Sequence, residues 1–222
     1  MRRNHKKNVT VRNPCSYRKN IRNIATKGCA WHIFAYIKRP GRPDQTRNKN
    51  WKVGEKMGEV IVSMKDIVKT FPGVKALDHV NFELRSGEVM ALLGENGAGK
   101  TTVMKSMLHL VRPDSGMVLL LGQDATKENA ALKQQIGVVL DTANFPQSFT
   151  TQDVHQMLKR VYSNWDGALY QQYLEQFHLP EKKKFKEFSM GMKKKLAVAA
   201  ALAHHPKLLI LDEVTAGLDP MV

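Results

Sequence analysis

Gly94-Glu95-Asn96-Gly97-Ala98-Gly99-Lys100-Thr101-Thr102 fits the pattern G-x-x-x-x-G-K-[ST], and this stretch decides how the remaining residues are read. Three glycines let the backbone curl until successive N–H groups point inward at an anion. A helix starting near Gly99 adds the partial positive charge of its N-terminus. Lys100 is placed to reach the β- and γ-phosphates of a nucleotide, and the Thr101 hydroxyl to hold Mg²⁺. The flanks agree. Glu88-Val89-Met90-Ala91-Leu92-Leu93 reads as a buried strand, and Val103, Met104, Met107, Leu108 and Val111 keep helical spacing beyond the loop. Strand, loop and helix in that order make Gly94, Asn96, Gly97, Ala98, Gly99, Lys100, Thr101 and Thr102 the candidate nucleotide-binding residues.

Working outward, Val60-Ile61-Val62 and Ile67-Val68 are short strand material, followed by a turn at Phe71-Pro72-Gly73. Val80, Phe82 and Leu84 alternate with His79, Asn81 and Glu83, the period of a half-buried strand. Met117-Val118-Leu119-Leu120-Leu121, Ile136-Gly137-Val138-Val139-Leu140 and Leu208-Leu209-Ile210-Leu211 are further apolar strands. Between the last two lies a helical block. Thr150-x-x-Asp153 is a capping box with Asp in place of Glu, and Asp166 can cap a second helix that ends at Leu179-Pro180. Continuous apolar strands alternating with helices predict an α/β fold around a mainly parallel sheet, preceded by an antiparallel piece.

A phosphate loop needs a carboxylate for the metal and a group to direct water at the terminal phosphate. Leu208-Leu209-Ile210-Leu211-Asp212-Glu213 supplies both at the end of an apolar strand. Asp212 is expected to bind Mg²⁺ through its shell, and Glu213 to accept a proton from the attacking water.

The order of glycine loop, Phe188-Ser189-Met190-Gly191-Met192-Lys193, Asp212-Glu213 and Ala216-Gly217-Leu218-Asp219 resembles the ATP-binding-cassette ATPases over residues 58–222. The resemblance implies a P-loop NTPase fold, with a RecA-like mainly parallel sheet, an N-terminal antiparallel β subdomain and a helical subdomain at about 148–202. It implies ATP and Mg²⁺ as cofactors, with Lys100 and Glu213 catalytic and Thr101 and Asp212 at the metal. Ser189-x-Gly191 stands where the family has its signature, at a helix start where hydroxyl and backbone N–H can donate to phosphate. In the family that phosphate belongs to ATP on an opposing subunit, so a head-to-tail dimer is expected. Phe71 is at the position whose ring stacks on adenine. The glutamine expected after the Ile136 strand is absent; Asp141 stands there as an alternative polar contact to Mg²⁺ or water, and Gln147 lies further on. Asp219 matches the loop that passes signals between the two sites.

The formal charge of +15 is unevenly spread. Residues 1–56 hold 16 Lys/Arg against 2 Asp/Glu, and the remainder 19 against 18. The cassette-like part is therefore close to neutral, which disfavours a nucleic-acid function for it. Residues 1–56 show no sustained helical or alternating pattern and are expected to be a disordered basic tail. Three readings of this tail compete: an arm for nucleic acid or anionic lipid, an organelle-targeting segment, or translated upstream sequence ahead of a true start at Met57. The abrupt change at Met57-Gly58-Glu59 favours the last. Cys15 and Cys29 lie in the tail without a ligand cluster around them, which argues against zinc. Its apolar patch, Ala30-Trp31-His32-Ile33-Phe34-Ala35-Tyr36-Ile37, is about half the length of a membrane span.

The resemblance further implies a strand after Asp219, carrying a histidine for the γ-phosphate and lying between the loop strand and the Asp212 strand. The sequence stops at Val222. With neighbouring strands about 4.8 Å apart, those two strands are expected to stand nearly 10 Å apart, with unpaired backbone between them. The expectation is a C-terminally incomplete cassette that folds poorly and hydrolyses ATP weakly or not at all. For the whole protein, the resemblance implies the ATPase subunit of a bacterial transporter, of an export-type subfamily. It would drive a separately encoded membrane permease from the cytoplasmic face. A soluble ATPase acting on ribosomes or DNA, or an inactive fragment, is the alternative.

Overall fold

The computed structural model describes residues 10–12, 30–36, 58–94, 97–140 and 145–212. Strands β1 (Thr10–Arg12) and β2 (Ala30–Tyr36) come first, then a long hairpin of β3 (Val60–Phe71) and β4 (Val74–Arg85). The loop strand β5 (Val89–Gly94) feeds helix α1 (Lys100–Met107). Strands β6 (Ser115–Leu120) and β7 (Gln123–Asp124), the short helix α2 (Ala130–Lys133) and strand β8 (Ile136–Val139) follow. Helices α3 (Thr151–Val161), α4 (Gly167–Gln176) and α5 (Met190–Leu202) lead to the last described strand, β9 (Leu208–Asp212).

The expected antiparallel piece is a four-stranded sheet in the order β4-β3-β6-β7. Its first strand is longer than the two short segments read from sequence. Val60–Phe71 runs as one strand, with a register shift between Met64 and Ile67 where Asp66 adopts a φ of 54°. Before that shift Ile61, Val62, Ser63 and Met64 are all buried, so the strand is covered on both faces there and shows no alternation. In β4 the alternation is kept, with Phe82 and Leu84 inside and Asn81 and Glu83 outside.

The second sheet has the order β1-β5-β2-β9-β8. Strands β8 and β9 are parallel, and β2 is antiparallel to both β5 and β9. It follows that β5, β9 and β8 all run one way while β1 and β2 run against them, so among the described residues this sheet is mixed and β8–β9 is its parallel pair, where a mainly parallel sheet was expected. The apolar core lies between the two sheets around α1. Val103, Met104 and Met107 of this helix pack with Leu84, Leu92, Val118, Leu120 and Ile210. Fully burying side chains of this kind contributes about 1.5–3 kcal/mol each.

The place between β5 and β9 differs from expectation. No row of unpaired backbone is left there, because β2 pairs along both neighbours. Two stretches of the N-terminal segment, read from sequence as an unstructured basic tail, are thus strands of the sheet. The pairing is possible because antiparallel ladders satisfy backbone N–H and C=O groups as parallel ones do.

A separate core forms under the helical block, where Val154, Tyr170, Leu174, Phe185, Phe188 and Leu196 pack together. The capping box is present: Thr150 Oγ1 accepts from Asp153 N–H at 3.2 Å, and Asp153 Oδ2 accepts from Thr150 N–H at 2.8 Å. Asp166 caps α4, its Oδ1 accepting from Leu169 N–H at 2.9 Å. Within the Lys193-Lys194-Lys195 run, Lys194 is only 4% exposed and the Lys193 ammonium sits 5.1 Å from the Phe185 ring centroid, so the Lys193 stem lies against the helical core.

Candidate phosphate site

The loop between β5 and α1 combines two glycines in the left-handed region for different reasons. Gly97 has a φ of 81° with no atom within 4 Å of where a Cβ would stand. Gly99 has a φ of 89° and caps α1, and a Cβ there would lie 2.5 Å from the Ala76 carbonyl oxygen. The first glycine leaves open space beside the backbone; the second lets the helix start close against β4. Ala98 is buried, Thr101 exposed and Thr102 half-buried. Lys100, the first residue of α1, is 5% exposed, and no acidic side chain occupies the first turn of that helix. An anion at this N-terminus therefore meets backbone N–H groups and a lysine without competition from a helix carboxylate.

The register fixes where Asp212 lies. Ala30 of β2 pairs with Gly94, and His32 pairs with both Leu92 and Asp212. Asp212 is therefore level with Leu92, two residues before the loop begins. Val139 pairs with Leu211, so β8 ends at the same edge. Three co-directional strands thus bring their carboxyl ends to one edge of the sheet, where open α/β folds bind ligands. Asp212 is 8% exposed and separated from the loop strand by one strand, about 10 Å across the sheet.

Phe71 closes β3 at the hairpin turn and is 37% exposed, with the Lys69 ammonium 5.5 Å from its ring centroid. It is a surface ring, not a core one. Ser189 is exposed and caps α5, its Oγ accepting from Met192 N–H at 3.2 Å; Gly191 lies in the first turn. The hydroxyl hydrogen is not used by that bond. Gln147 is exposed, and its carbonyl accepts from Lys186 N–H at 3.1 Å. Asn96, Asp141 and Glu213 lie outside the described residues, as do Glu95, Cys15, Cys29 and Asp219.

Two features carried no signal in the sequence. One is an apolar cavity of about 350 Å³ whose lining includes Leu108, Leu110, Leu132, Val138, Leu140 and Tyr162. Leu110 and Leu140 are also exposed, so its rim is apolar too. The other is His204, fully buried at 0% exposure and stacked on Tyr162 with ring centroids 3.9 Å apart. Its Nε2 lies 3.3 Å from the Ile136 carbonyl, which makes Nε2 the protonated nitrogen of the neutral ring. Burial holds its pKa below the ordinary histidine value, against a smaller opposing effect of that carbonyl. The burial of His204 comes from the packing of α5 on β8, and the cavity from residues of α1, the β6–β8 region and Tyr162 meeting in the fold.

The donor set fits a nucleotide phosphate with its magnesium: an uncrowded glycine turn, a lysine at a helix start and a carboxylate at the same sheet edge. When bound, the metal would neutralise phosphate charge. Lys100 would hold the phosphates, and Thr101 and Asp212 would hold the metal. Such a site on co-directional strands defines a P-loop nucleotide-binding protein.

Known proteins agree and narrow the class. Residues 77–216 match the family described as ABC transporter. The bacitracin transport ATP-binding protein BcrA of Bacillus licheniformis is 34% identical over 163 residues, 72% of this chain and 53% of that protein. The probable multidrug ABC transporter ATP-binding protein YbhF of Escherichia coli (strain K12) is 34% identical over 169 residues, 74% of this chain and 29% of that protein. Among solved structures, the ATP binding subunit of an ABC transporter matches with a TM-score of 0.60 at 24% identity, covering 72% of this chain and 69% of that one. A dimeric post-hydrolysis state of the cassette MJ0796 bound to ADP and Pi matches at 0.53 and 21% identity, covering 65% and 70%. These two likenesses concern the fold alone. The chain belongs to the ABC transporter family, and it spans about half the length of the curated relatives it matches.

Proposed function

We propose that this chain is the ATP-binding part of an ABC transporter ATPase, and that hydrolysis at its phosphate edge drives a separately encoded membrane permease in export. The observation that carries the reading is the arrival of the Lys100 loop and Asp212 at one sheet edge, one strand apart. In this reading residues 58–222 form the ATP-binding domain, with its helical subdomain at about 148–202. Lys100, Gly97, Gly99 and Thr102 cradle the phosphates, and Phe71 stacks on the adenine. Thr101 and Asp212 hold Mg²⁺, with Asp141 as a further polar contact. Glu213 takes the proton from the attacking water. Ser189 and the Gly191 N–H donate to the ATP of a second cassette, so two copies are needed for two complete sites.

The apolar cavity with its exposed rim at Leu110 and Leu140 supports docking of an apolar segment from a partner such as the permease. Among the described residues no helix is long and apolar enough to cross a membrane, so membrane contact at the cytoplasmic face would run through that partner. The test is Glu213→Gln in the transporter reconstituted with its permease. ATP binding is retained, two cassettes stay together, and hydrolysis falls about 100-fold or more. Undiminished hydrolysis removes Glu213 from the role of base.

A further inference from the structure

We propose that Lys69 and Asp114 are positioning residues for the base of the nucleotide: Asp114 holds the Lys69 ammonium against one face of the Phe71 ring, which leaves the opposite face for a purine to stack on. The proposal rests on the reading of Phe71 as the stacking ring under the proposed function.

Asp114 is tied to three consecutive residues of β3. Its N–H donates to the Val68 carbonyl at 2.8 Å, its Oδ1 accepts from the Lys69 ammonium at 2.7 Å, and its Oδ2 accepts from the Thr70 N–H at 2.7 Å. Both carboxylate oxygens are thus in use. The carboxyl is held below its ordinary pKa, first by the Lys69 hydrogen bond and then by the Thr70 N–H. The ammonium fixed in this way lies 5.5 Å from the Phe71 ring centroid, within cation–π range. The Lys69 side chain is 18% exposed and Phe71 is 37% exposed, so the lysine is largely covered while the ring still meets solvent.

The ring is also in the right place. Phe71 pairs with Val74 at the hairpin end, and Ala76, two residues along β4, is the residue whose carbonyl crowds Gly99. Two strand residues span about 7 Å. The ring therefore stands close to the glycine loop, at the end of the hairpin that the loop touches.

Two physical effects follow. A ring free on both faces has to be ordered by the base that stacks on it; the clamp occupies one face beforehand and lowers that cost. The cation also draws ring electron density toward itself, so the far face meets an electron-rich purine with less repulsion. Lys75, opposite Thr70 on β4, pairs with Asp78 instead and supplies the control.

The experiment titrates the full chain, Lys69→Met, Asp114→Asn, Phe71→Ala and Lys75→Met with Mg²⁺-ATP and with Mg²⁺-tripolyphosphate, which has phosphates and no base. Phe71→Ala is expected to weaken ATP binding about 10-fold or more, through loss of stacking. Lys69→Met is expected to weaken it about 2- to 5-fold. Tripolyphosphate affinity stays unchanged in both. Asp114→Asn follows Lys69→Met, Lys69→Arg restores ATP affinity, and Lys75→Met leaves both probes as they were. Adding Lys69→Met to Phe71→Ala has no further effect. Equal loss for both probes in Lys69→Met, as a structural or general charge effect would give, overturns the proposal. So does Lys69→Met matching the full chain while Phe71→Ala loses ATP affinity, an outcome that keeps the stacking reading. ATP affinity unaltered in Phe71→Ala overturns the stacking reading and the proposal with it.

Discussion

Replacing Gly99 by alanine separates two costs that the fold keeps distinct. An alanine at φ 89° bears the left-handed penalty, about 1–2 kcal/mol. Its Cβ would also lie 2.5 Å from the Ala76 carbonyl, a backbone atom of β4 that cannot swing aside, and 3.1 Å from Leu77 Cδ2. Relief requires moving the start of α1 away from β4, and Lys100 moves with it. Gly97→Ala is the control, because its φ of 81° imposes the first cost and the empty surroundings spare it the second. The control is expected to lower Tm by about 2–8 °C, from 1–2 kcal/mol at about 2–4 °C per kcal/mol for a chain of this size. Gly99→Ala adds on the order of 1–3 kcal/mol of overpacking, for a total of roughly 2–5 kcal/mol out of a typical 5–15. Displacing Lys100 should also weaken Mg²⁺-ATP binding by more than tenfold relative to the unsubstituted chain, a difference of about 1.4 kcal/mol or more. Thermal unfolding of both variants and nucleotide titration of Gly99→Ala provide the readouts. If Gly99→Ala unfolds no earlier than Gly97→Ala, or binds Mg²⁺-ATP as the unsubstituted chain does, the close approach of α1 to β4 is not what positions the lysine.

Three further outcomes are expected. Because burial holds the His204 pKa below its ordinary 6.5, the unfolded chain takes up the proton first on acidification. Stability present above about pH 6.5 is therefore lost as the pH falls through the folded-state value, with a slope of at most about 1.4 kcal/mol per pH unit. Urea midpoints of the full chain and His204→Gln between pH 7.5 and 5.5 should converge on acidification; parallel curves would dismiss the buried ring as the cause. Asp166→Ala removes the α4 cap and the 3.0 Å contact to His205, and should cost about 1 kcal/mol by chemical unfolding with Mg²⁺-ATP affinity untouched. Loss of affinity in that variant would mean the helical block is coupled to the loop more tightly than separate cores suggest. Asp212→Asn should abolish the Mg²⁺ dependence of ATP binding, and a retained dependence would move the metal carboxylate elsewhere.

The glycine loop was legible because its chemistry is local. Positive-φ glycines, a lysine at a helix start and an apolar strand before them lie in consecutive residues, so spacing alone identifies them. The caps at Thr150 and Asp166 were legible for the same reason, since each bonds to a backbone N–H three residues on. The single long β3 was less so, because it is covered on both faces before the register shift at Asp66 and shows no alternation there. The burial of Lys194 is not legible, because a charge run carries no mark of which member is enclosed.

By itself the sequence determined the phosphate loop, the apolar strands and the family resemblance carried by four ordered motifs. It could not determine what fills the gap between β5 and β9. A backbone ladder is made by N–H and C=O groups that every residue shares, so composition does not say which distant strand will satisfy it. The tertiary structure decided that: residues 30–36 stand beside the loop strand, and their register brings Asp212 level with Leu92.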